Sequence, residues 1–276
     1  MKPLLMDLLG EEPDTFRRRS LTREYLQARI LLSLQDHGAF ANWAFLGGTA
    51  LRFLFGLPRY SEDLDFSLVS PENDARFTER MQSVQSDLRK ETYPVEVRSR
   101  VRSAVASAFV KFRGLLYELG ISPHEDEVLT VRVEIDQKPP AGAGTETRVV
   151  RRFVMLNLLH HDRSSLLAGK LHAVLSRKYT KGRDLYDLAW YLSDPEWPAP
   201  NLVQLNHALE QTGWDGPAAT PENWRGLIRD KLATVGWERA RRDVSPFLER
   251  SRDVDYVSET TLNSLLERYL RRRNTS

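Results

Sequence analysis

Asp63 and Asp65 stand two residues apart in the apolar run Asp63-Leu64-Asp65-Phe66-Ser67-Leu68. On a strand, side chains at i and i+2 project from the same face, so the two carboxylates repel unless a cation lies between them. Asp is also a poor strand former. A strand-end turn with two exposed acids is the bland explanation. Metal binding is the sharper one, and hard oxygen donors without Cys or paired His select Mg²⁺ over zinc. Upstream, Gly47-Gly48-Thr49 follow the apolar Trp43-Ala44-Phe45-Leu46. Two glycines after a strand signal only a turn when taken alone. Ahead of a helix, they leave backbone N–H groups open at its N-terminus, where phosphate oxygens bind, and Thr49 adds a hydroxyl.

Further along, Val128-Leu129-Thr130-Val131-Arg132-Val133-Glu134-Ile135-Asp136 alternates strictly, which predicts a strand with Glu134 and Asp136 on its polar face. Either acid can serve as a third metal ligand if this strand neighbours the Asp pair; an ion pair with Arg is the competing role for each. In Gly169-Lys170-Leu171-His172-Ala173, the helical period places Lys170, Arg177 and Lys181 on one side, away from Leu171, Val174 and Leu175. Such a basic stripe suits a triphosphate, although most basic helix faces are simply solvated. Arg183, Asp184 and Asp187 follow. Asp184 has an alternative as a helix N-cap, which leaves Asp187 the more informative acid. His160, His161 and His172 lack metal-ligand spacing and read as structural or exposed.

These residues need a scaffold, and the chain is long enough for one large domain or two modest ones: 276 residues, 41% hydrophobic and 28% charged. It has no cysteine, which excludes disulfides, thiolate metal sites and cysteine nucleophiles and suits a cytoplasmic enzyme. No run is apolar enough to span a bilayer, and no signal-peptide pattern opens the chain. Net charge is only +2, but basic residues cluster at Arg98-Arg100-Arg102 with Lys111 and Arg113, at Arg148-Arg151-Arg152, from Lys170 to Arg183, and at Arg271-Arg272-Arg273. Segregation of this kind builds a positive face on a nearly neutral protein. Helices are predicted over 21–36, 49–55 and 74–91, strands over 43–46, 63–68, 95–102, 104–112 and 128–136, and a loop over 137–147. Beyond about residue 157 the pattern is helical only, from an N-cap at Asp162. An α/β or α+β domain over 1–157 joined to a helical domain over 158–276 is the expected organisation.

Taken together, Gly47-Gly48-Thr49, Asp63-Leu64-Asp65, Lys170-Leu171-His172-Ala173 and Arg183-Asp184 through Asp187-Leu188 resemble the AbiEii/MenT family of nucleotidyltransferase-like toxins, within the DNA polymerase β-type superfamily. The resemblance spans roughly residues 43 to 190, and nothing beyond 195 contributes to it. It implies an α+β fold, with a mixed-sheet nucleotidyltransferase domain followed by a helical domain that contributes Lys170 and Asp187. It further implies an enzyme that transfers nucleotides from NTP to an RNA 3′ end, tRNA being the expected acceptor, with toxicity through blocked translation. By position, Gly47, Gly48 and Thr49 hold the phosphates, Asp63 and Asp65 bind Mg²⁺, Lys170 and Arg183 contact the nucleotide, and Asp187 supports the site or moves a proton. Glu134 fits the superfamily's third metal ligand, with Asp136 as second candidate. Thr49 stands where Ser is commoner, keeping the hydroxyl and adding a methyl. The implied partner is a separate winged-helix antitoxin encoded nearby. Transfer to a small-molecule or protein hydroxyl, and an inactive nucleotide-binding regulator, are the alternatives.

Overall fold

The computed structural model describes residues 2–10, 12–72 and 75–273, with side chains from 4 to 269 of these; the Arg271-Arg272-Arg273 cluster therefore lies outside the described side chains. The chain forms two compact units. One comprises residues up to Gly56, Tyr60–Pro139 and Glu146–His160; the other comprises Leu57–Arg59, Pro140–Thr145 and the chain from His161 onward. Among the described residues no helix is long and apolar enough to cross a membrane.

The first unit opens with α1 (Lys2–Leu9) and α2 (Thr15–Asp36) and is built on seven strands: β1 (Trp43–Leu46), β2 (Asp63–Leu68), β3 (Val95–Val101), β4 (Val105–Arg113), β5 (Val128–Asp136), β6 (Thr145–Arg152) and β7 (Val154–His161). Their order is β3-β4-β5-β2-β1-β7-β6. The sheet is mixed, since β2 and β5 run parallel, as do β1 and β7, while β1–β2, β3–β4 and β4–β5 are antiparallel. Helices α3 (Gly47–Phe55), α4 (Phe77–Lys90) and α5 (Leu115–Glu118) complete it.

Alternation decides which face of the sheet is which. Leu64 and Phe66 of β2, Ala106, Ala108, Val110 and Phe112 of β4, and Val131, Val133 and Ile135 of β5 are all buried in one core. Tyr25, Leu26, Ile30 and Leu31 of α2 and Phe77, Val84 and Leu88 of α4 join them. Trp43 stacks on Phe77 with centroids 5.7 Å apart, and Phe45 lies 5.2 Å from Phe66. Burying each such side chain contributes about 1.5–3 kcal/mol, so a one-residue register slip, which would expose the whole set, is strongly disfavoured. That same register sends Asp63, Asp65, Arg132, Glu134 and Asp136 to the opposite face.

The hairpin β6–β7 departs from the sequence reading, which placed a loop at 137–147 and no strand after it. β6 is exposed along most of its length and carries no burial alternation. Phe153, between the two strands, sits at φ 61°, a left-handed turn position unusual for a bulky residue and not legible in composition.

In the second unit α6 (Arg163–Ser176) packs against α7 (Gly182–Ser193) and α8 (Leu202–Gln211). Helices α9 (Trp224–Leu232), α10 (Trp237–Val244) and α11 (Glu259–Arg273) follow. Asp162 caps α6, its carboxylate accepting from the Ser165 N–H at 2.7 Å. Gly182 opens α7 because a Cβ there would sit 1.8 Å from the Ala240 carbonyl oxygen of α10. Only glycine allows that approach.

Candidate active site

Gly47 begins α3 at φ +80°, and a Cβ built on it would fall 2.5 Å from Asp65 Oδ2. The glycine is therefore required twice, by its left-handed backbone and by the carboxylate packed against it. Behind it, the fully buried Thr49 donates its hydroxyl to the Asp63 carbonyl. That bond fastens the first turn of α3 to β2. What the Gly-Gly-Thr element offers an anion is thus mainly the unpaired backbone N–H groups of that turn.

Asp63 and Asp65 are half-buried and alternate with the buried Leu64 and Phe66. The parallel register with β5 pairs Asp63 with Arg132, Asp65 with Glu134 and Ser67 with Asp136. Glu134 therefore stands directly across from Asp65. It accepts an ion pair from Arg132. Burial raises its pKa, Arg132 opposes that, and the charge of Asp63 adds to the rise. Asp136 is one pair further on, and its carboxylate accepts from the Lys138 N–H at 2.9 Å, closing the turn after β5. Burial raises its pKa too, against that hydrogen bond. Its turn role makes Asp136 the weaker of the two candidates for a third ligand.

Two cations lie near these acids, Arg23, which the sequence did not single out, and Arg132, whose pairing with Glu134 is the competing role weighed for that acid. Arg23 of α2 lies 3.4 Å from Glu62. Burial lowers its pKa, and Glu62 and Asp63 both work to raise it. The other is Arg132, whose partner Glu134 is its own neighbour on the strand face. Among the described residues no group of three or more His, Cys, Asp or Glu is gathered tightly enough to hold a metal as it stands. Three carboxylates without a cation repel, and Glu134 is turned toward Arg132. The donor set itself, all hard oxygen and all on one sheet face, fits a hard divalent ion.

The second unit holds a different constellation. Lys170 Nζ lies 2.8 Å from Asp184 Oδ1 and 2.8 Å from Asp187 Oδ2. Arg59 grips both oxygens of Asp187, through Nε and a terminal nitrogen, at 2.6 Å each. Arg177, just past the end of α6, pairs with Asp184. Asp187 is fully buried and Arg59 nearly so. For Lys170 burial works to lower the pKa, yet Asp184 and Asp187 outweigh it and the result is a rise. Burial of Asp184 is likewise overcome by Lys170 and Arg177, and its pKa falls.

Lys170 and Arg177 thus do not form a free basic stripe; both are engaged by carboxylates. Nor does Asp184 cap α7. It is the helix's third residue, and Lys181 occupies the cap position. Arg183 stacks its guanidinium over the Phe247 ring, 4.3 Å from the centroid. His160 meets Phe55 edge-on, and His172 reaches the Thr212 hydroxyl at 3.0 Å. Arg59 was missed altogether. Its signal was indirect: Asp187 sits among Leu185, Leu188 and Tyr191 on the apolar side of α7, and a buried carboxylate there requires a cation.

The sequence model of a family described as "Nucleotidyl transferase AbiEii toxin, Type IV TA system" matches residues 29–272. The chain belongs to the AbiEii toxin family. The match runs from within α2 to within α11 and so takes in both constellations. AbiEii proteins are nucleotidyltransferases of toxin–antitoxin systems, and an antitoxin partner goes with the family. No curated protein sequence matches the chain. Two solved structures from Helicobacter pylori share the fold. One is JHP933, with TM-score 0.58 and 17% identity, over 93% of this chain and 94% of that one. The other is a "putative nucleotidyltransferase", with TM-score 0.53 and 18% identity, over 93% of this chain and 97% of that one. At such identity the likeness concerns the fold, which is α+β with a mixed sheet.

Proposed function

We propose that this AbiEii protein is a Mg²⁺-dependent toxin that transfers a nucleotide from NTP to an RNA 3′ end, with tRNA as the acceptor, and so blocks translation. The observation that carries the reading is the β2–β5 register, which sets Glu134 across from Asp65 on the face that also holds Asp63. Asp63, Asp65 and Glu134 would hold the metal, with Asp136 in reserve. When bound, Mg²⁺ neutralises charge on the reacting α-phosphate and on the departing pyrophosphate. The N–H groups of Gly47, Gly48 and Thr49 take the terminal phosphate oxygens.

In the reaction the RNA 3′-hydroxyl gives up its proton to solvent, its oxygen bonds to the α-phosphorus, the bond from that phosphorus to the bridging oxygen breaks, and pyrophosphate leaves with the electron pair. Lys170 contacts the triphosphate. Its cluster suits this role because three cations, Arg59, Lys170 and Arg177, face two carboxylates and leave one positive charge in excess. Asp187 holds the Lys170 ammonium in place, and Arg183 of α7 supplies a further cation to the nucleotide. The protein acts in the cytoplasm, restrained by a winged-helix antitoxin encoded nearby.

Incubation with each α-labelled NTP, Mg²⁺ and total cellular RNA tests this. Label on the 3′ end of tRNA supports the reading and names the nucleotide. Label on a small molecule or a protein replaces the acceptor, and no label with any NTP indicates a nucleotide-binding regulator.

A further inference from the structure

The sheet face that carries Asp63 and Asp65 does not end at β5. Continuing the register across β4 to β3 gives two rows. Asp65 is followed by Glu134, Ser107 and Arg100, and Asp63 by Arg132, Phe109 and Arg98. Val105 pairs with Asp136 one step beyond, where the Arg102 N–H bonds to the Val105 carbonyl at 3.1 Å. Acid therefore gives way to an aromatic and then to arginines across a single surface. Phe109 is 43% exposed although its neighbours Ala108 and Val110 are fully buried. Arg98 is paired with Glu96, but Arg100 and Arg102 are exposed and have no acidic partner among the described residues.

Neighbouring strands lie about 4.8 Å apart, so Phe109 stands on the order of 10 Å from Asp63, and Arg98 and Arg100 on the order of 14 Å from the Asp pair. An exposed ring with an arginine that has no acidic partner, Arg100, diagonally across from it, and a second, Arg102, further along the same edge, is a combination that suits single-stranded nucleic acid, bases stacking on the ring and phosphates meeting the guanidinium groups. The bland account of β3 is that its arginines guard a sheet edge against strand pairing. It does not explain Phe109, which lies on β4, inside the edge, and presents its ring to solvent on the acidic pair's own face.

We infer that Phe109, Arg100 and Arg102 form a docking platform for the single-stranded nucleotides just upstream of the acceptor's 3′ end. This rests on the RNA-acceptor reading above and adds to it where the RNA lies.

The test is anisotropy titration of the full chain with a short fluorescent single-stranded oligoribonucleotide bearing a free 3′-OH, over a salt series. Circular dichroism checks each variant's fold. Phe109→Ala should raise Kd about 5- to 150-fold, the loss of one base–aromatic stack, and Phe109→Tyr should restore binding. Arg100→Gln with Arg102→Gln should lower the log–log salt slope by about 1.4, or roughly 0.7 per single-strand phosphate contact. A folded Phe109→Ala protein that binds like wild type, or an unchanged slope, overturns the platform. So does equal binding of a blunt RNA duplex, or a Phe109→Ala variant that loses only its response to the antitoxin. Failure of the wild type to bind the oligonucleotide also overturns it. Asp63-dependent label transfer, measured separately, then shows whether the transferase reading survives.

Discussion

Replacing Asp187 with Ala removes the acceptor of two Arg59 hydrogen bonds and one of the two carboxylates that hold Lys170, at a position with no solvent access. Two effects compete. Desolvation of Asp187 itself is relieved, but Arg59 and Lys170, both largely withdrawn from water, lose the carboxylate they share. The second wins, because removing one partner of a buried ion pair costs about 3–5 kcal/mol. At about 2–4 °C per kcal/mol for a chain of this size, the melting temperature should drop by about 6–20 °C. Lys170→Met behaves differently. It removes one cation from a cluster with one in excess, leaving Arg59 with Asp187 and Arg177 with Asp184, so its stability cost should be clearly smaller. Its loss of NTP use should nonetheless be large, about 10- to 150-fold in kcat/KM, as for a charged hydrogen bond worth about 1.5–3 kcal/mol. Calorimetry of Asp187→Ala, Arg59→Ala, the double variant and Lys170→Met separates these effects. The Arg59–Asp187 double-mutant cycle should show a coupling of about 2 kcal/mol or more. Additive losses, or an Asp187→Ala protein that melts with wild type, would refute the clamp; normal NTP kinetics in Lys170→Met would refute the phosphate role.

Three further outcomes are expected. Asp63→Asn or Asp65→Asn should abolish label transfer and leave the melting temperature unchanged or slightly higher, since repulsion between like charges is relieved; full activity in either one removes the metal role. Gly47→Ala forces a side chain into a left-handed backbone and to 2.5 Å from Asp65 Oδ2, so it should cost at least about 1–2 kcal/mol in denaturant titration and depress transfer as well. His172 has its pKa lowered by burial and then by the charge of Arg177, so the folded state binds its proton less readily than the unfolded chain. Its stabilising contribution is complete above the unfolded value of about 6.5 and is lost as pH falls through the lowered folded value. His172→Gln should flatten that part of the stability–pH curve; an identical curve in the variant rules the histidine out.

The sequence made the acidic constellation on the sheet readable because it is local. Asp63 and Asp65 interrupt an apolar run, and strict alternation fixes Glu134 and Asp136 to the polar face of β5 before any pairing is known. Which of those two faces Asp65 depends on register, a non-local property set by burial of Leu64, Phe66, Val133 and Ile135 together. The β6–β7 hairpin stayed hidden because β6 buries almost nothing, and Phe153 makes its turn without glycine. Periodicity reads buried faces, so an exposed hairpin gives it little to read.

The basic cluster was legible only in part. Helical spacing grouped Lys170, Arg177 and Lys181 as a cationic stripe suited to a triphosphate, yet a lysine next to Leu171 on a packed helix is largely withdrawn from water, and such an ammonium must be compensated. Compensation comes from Asp184 and Asp187, one turn apart on α7. Two carboxylates that close would be unfavourable without more than one cation, and the surplus is met by Arg177 and Arg59. Arg59 lies four residues before Asp63 in the chain but groups with the helical unit. The segment leading into β2 therefore also carries the residue that secures Asp187, and through it Lys170. Substitutions from Leu57 to Arg59 should accordingly alter nucleotide use while leaving the register of β2 on β5 intact. Arg59→Lys offers the sharpest form of this expectation. It keeps the charge but loses the two-pronged grip, so stability should fall by less than in Arg59→Ala while KM for NTP rises, and a variant with wild-type KM would show that Lys170 needs no such support.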